Sequence, residues 1–386
     1  MTASLPPLEQ MIRRLVATPS VSSLQPGLDQ GNGAVCALLA DWLEPLGFRV
    51  ELRAVPDMPG KLNLVARSGD GDDGLVLSGH TDTVPCDAAL WQSDPFGGEV
   101  RDGRLYGLGS ADMKSFLAVI AHAVARVDLE RLSRPLVILG TADEESGMGG
   151  AKALVAEGQR LGARVLVGEP TGLHPVDRHK GVLMERIGIT GRSGHASHPA
   201  AGLNAIEGMM AAITGLEAFR ARLAAELPDL GFPVPGPTLN LGAIRGGDNP
   251  NRICARCELD VDLRLVPGMT TASARAGLRA AVTEALAGSG FGLEFTALFE
   301  GVEPLAPGPS RELATACEHA AGHACGAVNF GTEGPLFQAL DMEVVVCGPG
   351  EIAVAHQPNE SIELSEAARA VDMVENLVRR FCGGAG

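Results

Sequence analysis

Basic clusters, long apolar runs and a dense set of cysteines are all missing from this 386-residue chain. Each absence closes off a class of protein. With 31 Lys and Arg against 47 Asp and Glu, a formal charge of −16 and no basic stretch, nothing is available to neutralise a phosphate backbone, so nucleic acid is not expected as a partner. No segment reaches the roughly 18 uninterrupted apolar residues of a membrane span. The opening MTASLPPLEQMIRRLVATPS lacks the continuous apolar core of a secretory signal and reads as a helix after a Pro-Pro start. Eight cysteines are too few for a disulfide scaffold and suit a reducing compartment, which points to a cytoplasmic protein with no membrane partner.

What is present is the composition of a globular protein, 45% apolar and 20% charged, in a chain long enough for two domains. Apolar runs that end in an acid or a turn, each followed by a helical pattern, recur at LVLSGHTD, PLVILGTADEES, ARVLVGEP and VVVCGPG. That grammar predicts an α/β fold, a mostly parallel sheet with helices on both faces. Leu62–Ala66 and Leu75–Ser78 flank a Gly/Asp turn at 68–74, a hairpin-type signal. From about 184 to 302 the strands alternate with period two and accompany two Ala-rich helices, near Ala205–Leu227 and Thr270–Ala287. This predicts an inserted α+β domain with an antiparallel sheet at 184–302, splitting a first domain formed by 1–183 and 303–386. Cys254 and Cys257 form a C-x-x-C within NRICARCELDVDLRL. Continuous alternation would place Ile253, Ala255 and Cys257 on one face and Cys254 on the other, which argues against a redox or zinc role.

The chemistry gathers where the predicted strands end. Aligned in parallel, they bring His80 and Asp82, the acids Asp143, Glu144 and Glu145, and Glu169 to one edge, with Asp112 at a helix start. Any one of these acids reads equally well as a cap or a solvated loop residue. Together they would repel one another unless cations compensate, and no Lys or Arg flanks them. Carboxylates with an imidazole are a hydrolytic metal set, and their number suggests two metals sharing one ligand. Asp82 is placed to orient the His80 ring. Adjacent Glu144 and Glu145 point apart on an extended chain, so one would bind metal while the other took a proton from water. GLGSAD fits no nucleotide loop, because its glycine spacing matches neither common fingerprint and no apolar strand directly precedes it.

SGHTDTVP, GLGSADMKSFLA, TADEESGMGGAKAL, VGEPTG, GRSGHASHPAAGLNAIE, NRICARCELDVDLR and GPGEIAVAHQPNE together resemble the co-catalytic zinc aminoacylase and carboxypeptidase family over nearly the whole chain. The resemblance implies two divalent metal ions, zinc with cobalt and manganese as alternatives. It implies Asp112 as the bridging ligand, His80 and Glu169 on one metal and Glu145 and His356 on the other. Glu144 becomes the general base and Asp82 the support of His80, with a cis peptide between Asp112 and Met113. The resemblance also implies that the first domain is catalytic and the insert a lid or dimerisation domain. His195, which alone reads as a loop histidine, becomes an oxyanion donor reaching a neighbouring subunit's site, so a homodimer through the inserted domain is implied. Arg264 matches a substrate-carboxylate anchor, and Asn251, Lys180 and Thr332 match other pocket positions. The implied activity is metal-dependent removal of an acyl group from a small N-acyl amino acid, with the acetyl group of N2-acetyl-L-ornithine, a step of arginine biosynthesis, as the first choice. N-acetylcitrulline, N-succinyl-diaminopimelate and dipeptides are rivals in the same chemistry. A metal-binding sensor without catalysis is the rival of another class.

Overall fold

Six consecutive buried residues, Leu75–His80, form the strand around which the larger part of the protein is built; the structure, a computed structural model, describes residues 5–384. A strand with no face for water needs partners on both edges and cover on both faces. Leu136–Thr141 lies parallel along one edge, with His80 opposite Thr141. Arg164–Pro170 lies parallel along the other, and Glu343–Gly348 is parallel to it in turn. Antiparallel pairing extends this centre to Leu62–Ser68 and then Arg49–Ala54 on one side and to Val176–His179 on the other, where Gly326–Val328 is the last strand. Leu8–Val16, Gly33–Leu43, Lys114–Val124, Glu312–Ala321 and Leu364–Cys382 are helices that share one apolar core with the sheet. The fold is the mixed α/β type that the alternating grammar implied, with a large mostly parallel sheet and a separate antiparallel one.

The hairpin reading of 68–74 is overturned, because Leu136–Thr141 sits between Leu62–Ser68 and Leu75–His80. The Gly/Asp turn passes over Pro135 instead. Leu75 N donates to the Pro135 carbonyl at 3.2 Å, and a Cβ on Gly74 would stand 1.7 Å from that oxygen. One close approach also sets the helix that follows Asp112: a Cβ at Gly168 would lie 1.8 Å from the Phe116 ring. Gly168→Ala is therefore expected to destabilise the protein by about 1–3 kcal/mol, as overpacked cores do, read as a lowered urea midpoint at unchanged slope.

The chain divides into two compact units, one of Met1–Asp177, Pro307–Gly326 and Thr332–Gly386, the other of Arg178–Ala306 and Ala327–Gly331. In the second, an antiparallel sheet runs Thr238–Gly246, Arg256–Leu265, Gly181–Thr190, Gly292–Val302. Arg256–Leu265 alternates along its length, and its buried side chains meet those of the helices Ala205–Glu226 and Thr271–Ala285 in a separate core. The two cysteines do not obey that alternation. Regular pairing breaks between Arg252–Ile253 and Arg256–Leu265, so Ala255 is exposed and Cys254 joins Cys257 in this core. Burial pushes the Cys257 thiol up, and both sulfurs are free thiols. No helix among the described residues is long and apolar enough to cross a membrane.

Candidate metal centre

Register in the parallel strands delivers the cluster. Leu75–His80 ends on His80, Leu136–Thr141 ends three residues before Glu144, and Arg164–Pro170 carries Glu169 next to its last residue. The edge holds them because strand ends are where a buried sheet can turn polar side chains outward. Asp112 comes from the turn before the helix Lys114–Val124, and the Asp112–Met113 peptide is cis. His80, Asp82, Asp112 and Glu169 are all buried, the most exposed at 6%.

The Asp112 carboxylate faces two ways. Its Oδ1 lies 3.0 Å from His80 Nε2, which is itself 3.9 Å from Glu169 Oε1. Its Oδ2 lies 3.4 Å from His356 Nε2, which is 3.0 Å from Glu145 Oε2. Donors held at about 2.0–2.1 Å by a tetrahedral cation stand roughly 3.3–3.4 Å apart, so both sides have the spacing of a ligand set. Two triads have donor atoms within 4.8 Å of one another, His80 with Glu144 and Glu169, and His80 with Asp112 and Glu145. Glu144 is thus close enough to be a ligand by distance alone.

Electrostatics favour the same reading. Burial pushes Glu144, Glu145 and Glu169 above the ordinary carboxylate range, and their neighbours' negative charge adds to it. Burial alone would lower His80, but its hydrogen bond to Asp112 and the charge of Glu169 raise it well above its usual value. Hydrogen bonds to Asp112 and Glu145 raise His356 to about 10. Burial opposes ionisation of Asp112, yet the two imidazoles bring it below its usual range. Four carboxylates thus compete for two imidazolium protons, and a pair of divalent cations satisfies the donors that protons satisfy only in part. The residues present fit the metals that the sequence resemblance implied.

Support residues differ in detail from the expectation. The His80 Nδ1 sits 3.1 Å from the backbone oxygen of Asp82 and 3.8 Å from its carboxylate. That carboxylate accepts the N–H groups of Glu144 and Glu145, at 3.3 and 3.2 Å. Asp82 therefore orients the imidazole through its carbonyl and holds the glutamate pair through its side chain. Asp143 plays a structural part, with φ at 62° and with Oδ2 accepting Gly149 N at the start of the helix Gly149–Glu157.

Thr332, in the first unit, is buried, and its Oγ1 accepts Gly334 N at 3.0 Å. The second unit carries the other pocket candidates. Lys180 is buried, and its Nζ donates to Val234 and Gly236 carbonyls at 2.8 and 2.7 Å. Arg264 chelates Asp262 through Nε and one terminal nitrogen, at 2.8 and 3.1 Å. His195 is exposed, with Nδ1 2.7 Å from Ser197 Oγ, and Asn251 beside it takes Ala196 N on its carbonyl. Residue-by-residue reading missed His356, whose signal is conformational, a non-glycine residue at φ 58°. Nor does it single out Glu360, a buried carboxylate that accepts the Asp112 N–H at 2.9 Å.

A family model described as peptidase family M20/M25/M40 matches residues 76–380. Among curated relatives, an acetylornithine deacetylase of Proteus mirabilis (strain HI4320) is 42% identical over 382 residues, 99% of this chain and 98% of its own. One of Klebsiella pneumoniae (strain 342) is 43% identical over 386 residues, covering 99% of this chain and 100% of its own. Among solved structures, an M20 family metallo-carboxypeptidase of Sulfolobus solfataricus superposes with a TM-score of 0.78 at 18% identity, over 98% of this chain and 99% of that one.

Proposed function

Because the chain belongs to peptidase family M20/M25/M40 and is a metal-dependent hydrolase, we propose that it removes the acetyl group from N2-acetyl-L-ornithine, giving ornithine and acetate. The observation that carries this reading is the two-sided Asp112 carboxylate with an imidazole on each oxygen, in a chain 42% identical along nearly its whole length to a deacetylase of that name.

In this reading Asp112 would be shared by two cations, with His80 and Glu169 as the residues that would hold one and Glu145 and His356 as those that would hold the other. Zinc is the proposed metal, with cobalt and manganese suiting the same oxygen and nitrogen donors. Bound there, the pair supplies Lewis acidity toward the amide carbonyl and toward water. Glu144 takes the proton of the attacking water and hands it to the departing α-amine; its burial beside other acids suits a carboxylate that must hold a proton part of the time. Asp82 keeps Glu144 and Glu145 in place through their backbone N–H groups. His195 donates to the developing oxyanion from the second copy of a homodimer, a role supported by its exposed imidazole. Arg264 anchors the substrate carboxylate by the part of its guanidinium that Asp262 leaves uncovered, and Asn251, Lys180 and Thr332 are the further candidates for substrate contact.

Substrate choice is tested with zinc-loaded protein and a panel of N2-acetyl-L-ornithine, N-acetylcitrulline and N-succinyl-diaminopimelate, with products resolved by chromatography. The expected result is ornithine release with kcat/KM at least about 10-fold above the others, a modest pocket discrimination. A preference for another amide would move the enzyme to that substrate while leaving the metal chemistry intact. No hydrolysis of any of them by metal-loaded protein would favour the sensor reading.

A further inference from the structure

Glu360 is 1% exposed, and three backbone N–H groups point at its carboxylate. Gly109 N donates to Oε2 at 3.0 Å, while Ala111 N and Asp112 N donate to Oε1 at 2.8 and 2.9 Å. The turn that presents Asp112 is thus wrapped around one buried carboxylate. On the other side, Glu360 closes the loop that presents His356: its N–H donates to the Gln357 carbonyl at 3.2 Å, and its own carbonyl accepts Gly107 N at 2.9 Å. The next residue, Ser361, continues the contact as a strand partner of Tyr106.

The His356 loop needs such a fastening. His356 and Asn359 both have positive φ, 58° and 64°, and a non-glycine residue stays in that region only where its surroundings over-determine it. Asn359 is fixed by accepting Gln92 N at 2.8 Å. Glu360 is the residue that ties this loop to the Asp112 turn, and the two side chains so presented meet at 3.4 Å.

We propose that Glu360 is a positioning residue that sets the separation of Asp112 and His356, and so tunes the affinity of the metal position built from Asp112, Glu145 and His356 without touching the metal. This rests on the two-metal reading above. Buried partners that orient ligands commonly govern metal affinity by about 10–100-fold. Glutamine at 360 keeps the length but replaces one acceptor oxygen by an N–H₂ group, which would face either Gly109 N or the Ala111 and Asp112 pair, donor against donor.

The experiment measures zinc stoichiometry and affinity, by calorimetric titration of chelator-treated protein and by elemental analysis after dialysis against buffered zinc, for wild type, Glu360→Gln and Glu360→Asp. Wild type is expected to bind two equivalents. Glu360→Gln is expected to keep a cooperative melt and one equivalent of wild-type affinity, with the other weakened by about 10–100-fold. Glu360→Asp, which keeps the charge and retracts it, should fall between them. Two equivalents of wild-type affinity in Glu360→Gln would overturn the proposal. So would equal weakening of both equivalents, or failure of both variants to fold, since either outcome makes Glu360 a general structural residue. Fewer than two equivalents in wild type would instead remove the two-metal reading on which the proposal stands.

Discussion

Glu144→Gln is expected to bind two metals, melt no lower than wild type, and turn over about 10²–10⁴-fold more slowly, the range that a positioned general base contributes. The amide preserves the shape of the side chain and its place after Leu136–Thr141 but cannot accept a proton at neutral pH. Two features of the structure make this the informative substitution. Glu144 lies within ligand distance of His80 and Glu169, so position alone does not separate a base from a ligand. A lost metal equivalent in the variant would identify Glu144 as a ligand; full metal content with near-normal turnover would remove it as the base. Full metal content with slow turnover leaves proton transfer as its role. Stability discriminates further. Burial and neighbouring negative charge disfavour the ionised form of Glu144, so replacing it with a neutral isostere relieves an unfavourable burial in the metal-free chain. The metal-free variant should therefore melt at the same temperature as wild type or higher at pH 8.

How much of this could be read without coordinates depends on whether a residue acts locally. His80, Glu144, Glu145 and Glu169 were legible because each follows or ends a short buried strand, and acids at such ends have no apolar explanation. Asp112 was legible as a carboxylate at a helix start. Order along the chain differs from sheet order: Leu62–Ser68 and Leu75–His80 are neighbours in sequence but are parted by Leu136–Thr141, which runs parallel to Leu75–His80 and so returns to the sheet through a crossover. Cys254 and Cys257 share a core rather than opposite faces because alternation stops at a break in the strand that only pairing reveals. His356 and Glu360 were out of reach for a different reason. Each acts across a long stretch of chain, His356 against Glu145, 211 residues earlier, and Glu360 on the N–H of Asp112, 248 residues earlier. No local pattern encodes that.

Chelation should abolish hydrolysis, and it should also change how stability depends on pH. In the metal-free chain the carboxyls of Glu144, Glu145 and Glu169 are raised above their ordinary value of about 4.3. Between that value and the raised one, the folded chain holds protons that the unfolded chain has released, so stability falls as pH rises through the window. His80 and His356 act in the same direction: both are raised above about 6.5, His356 to about 10, so stabilisation complete below 6.5 is lost on the way to the folded value. Asp112, lowered by its two imidazoles, has the opposite sign, but its contribution is already complete above about pH 4–5. Burial places Glu360 at about 8 and Lys114 at about 7. Neither is among the proposed metal ligands, so taking the difference between metal-loaded and metal-free protein largely removes them. Metal binding displaces the protons that the cluster holds at low pH and needs its ligands unprotonated. The gain in melting temperature on adding zinc should therefore widen steadily from pH 6 to pH 9, measured by scanning calorimetry in matched buffers. A gain that stayed constant or shrank over that range would mean that the cluster titrates independently of metal, and the assignment of His80, Asp112, Glu145, Glu169 and His356 as ligands would have to be abandoned.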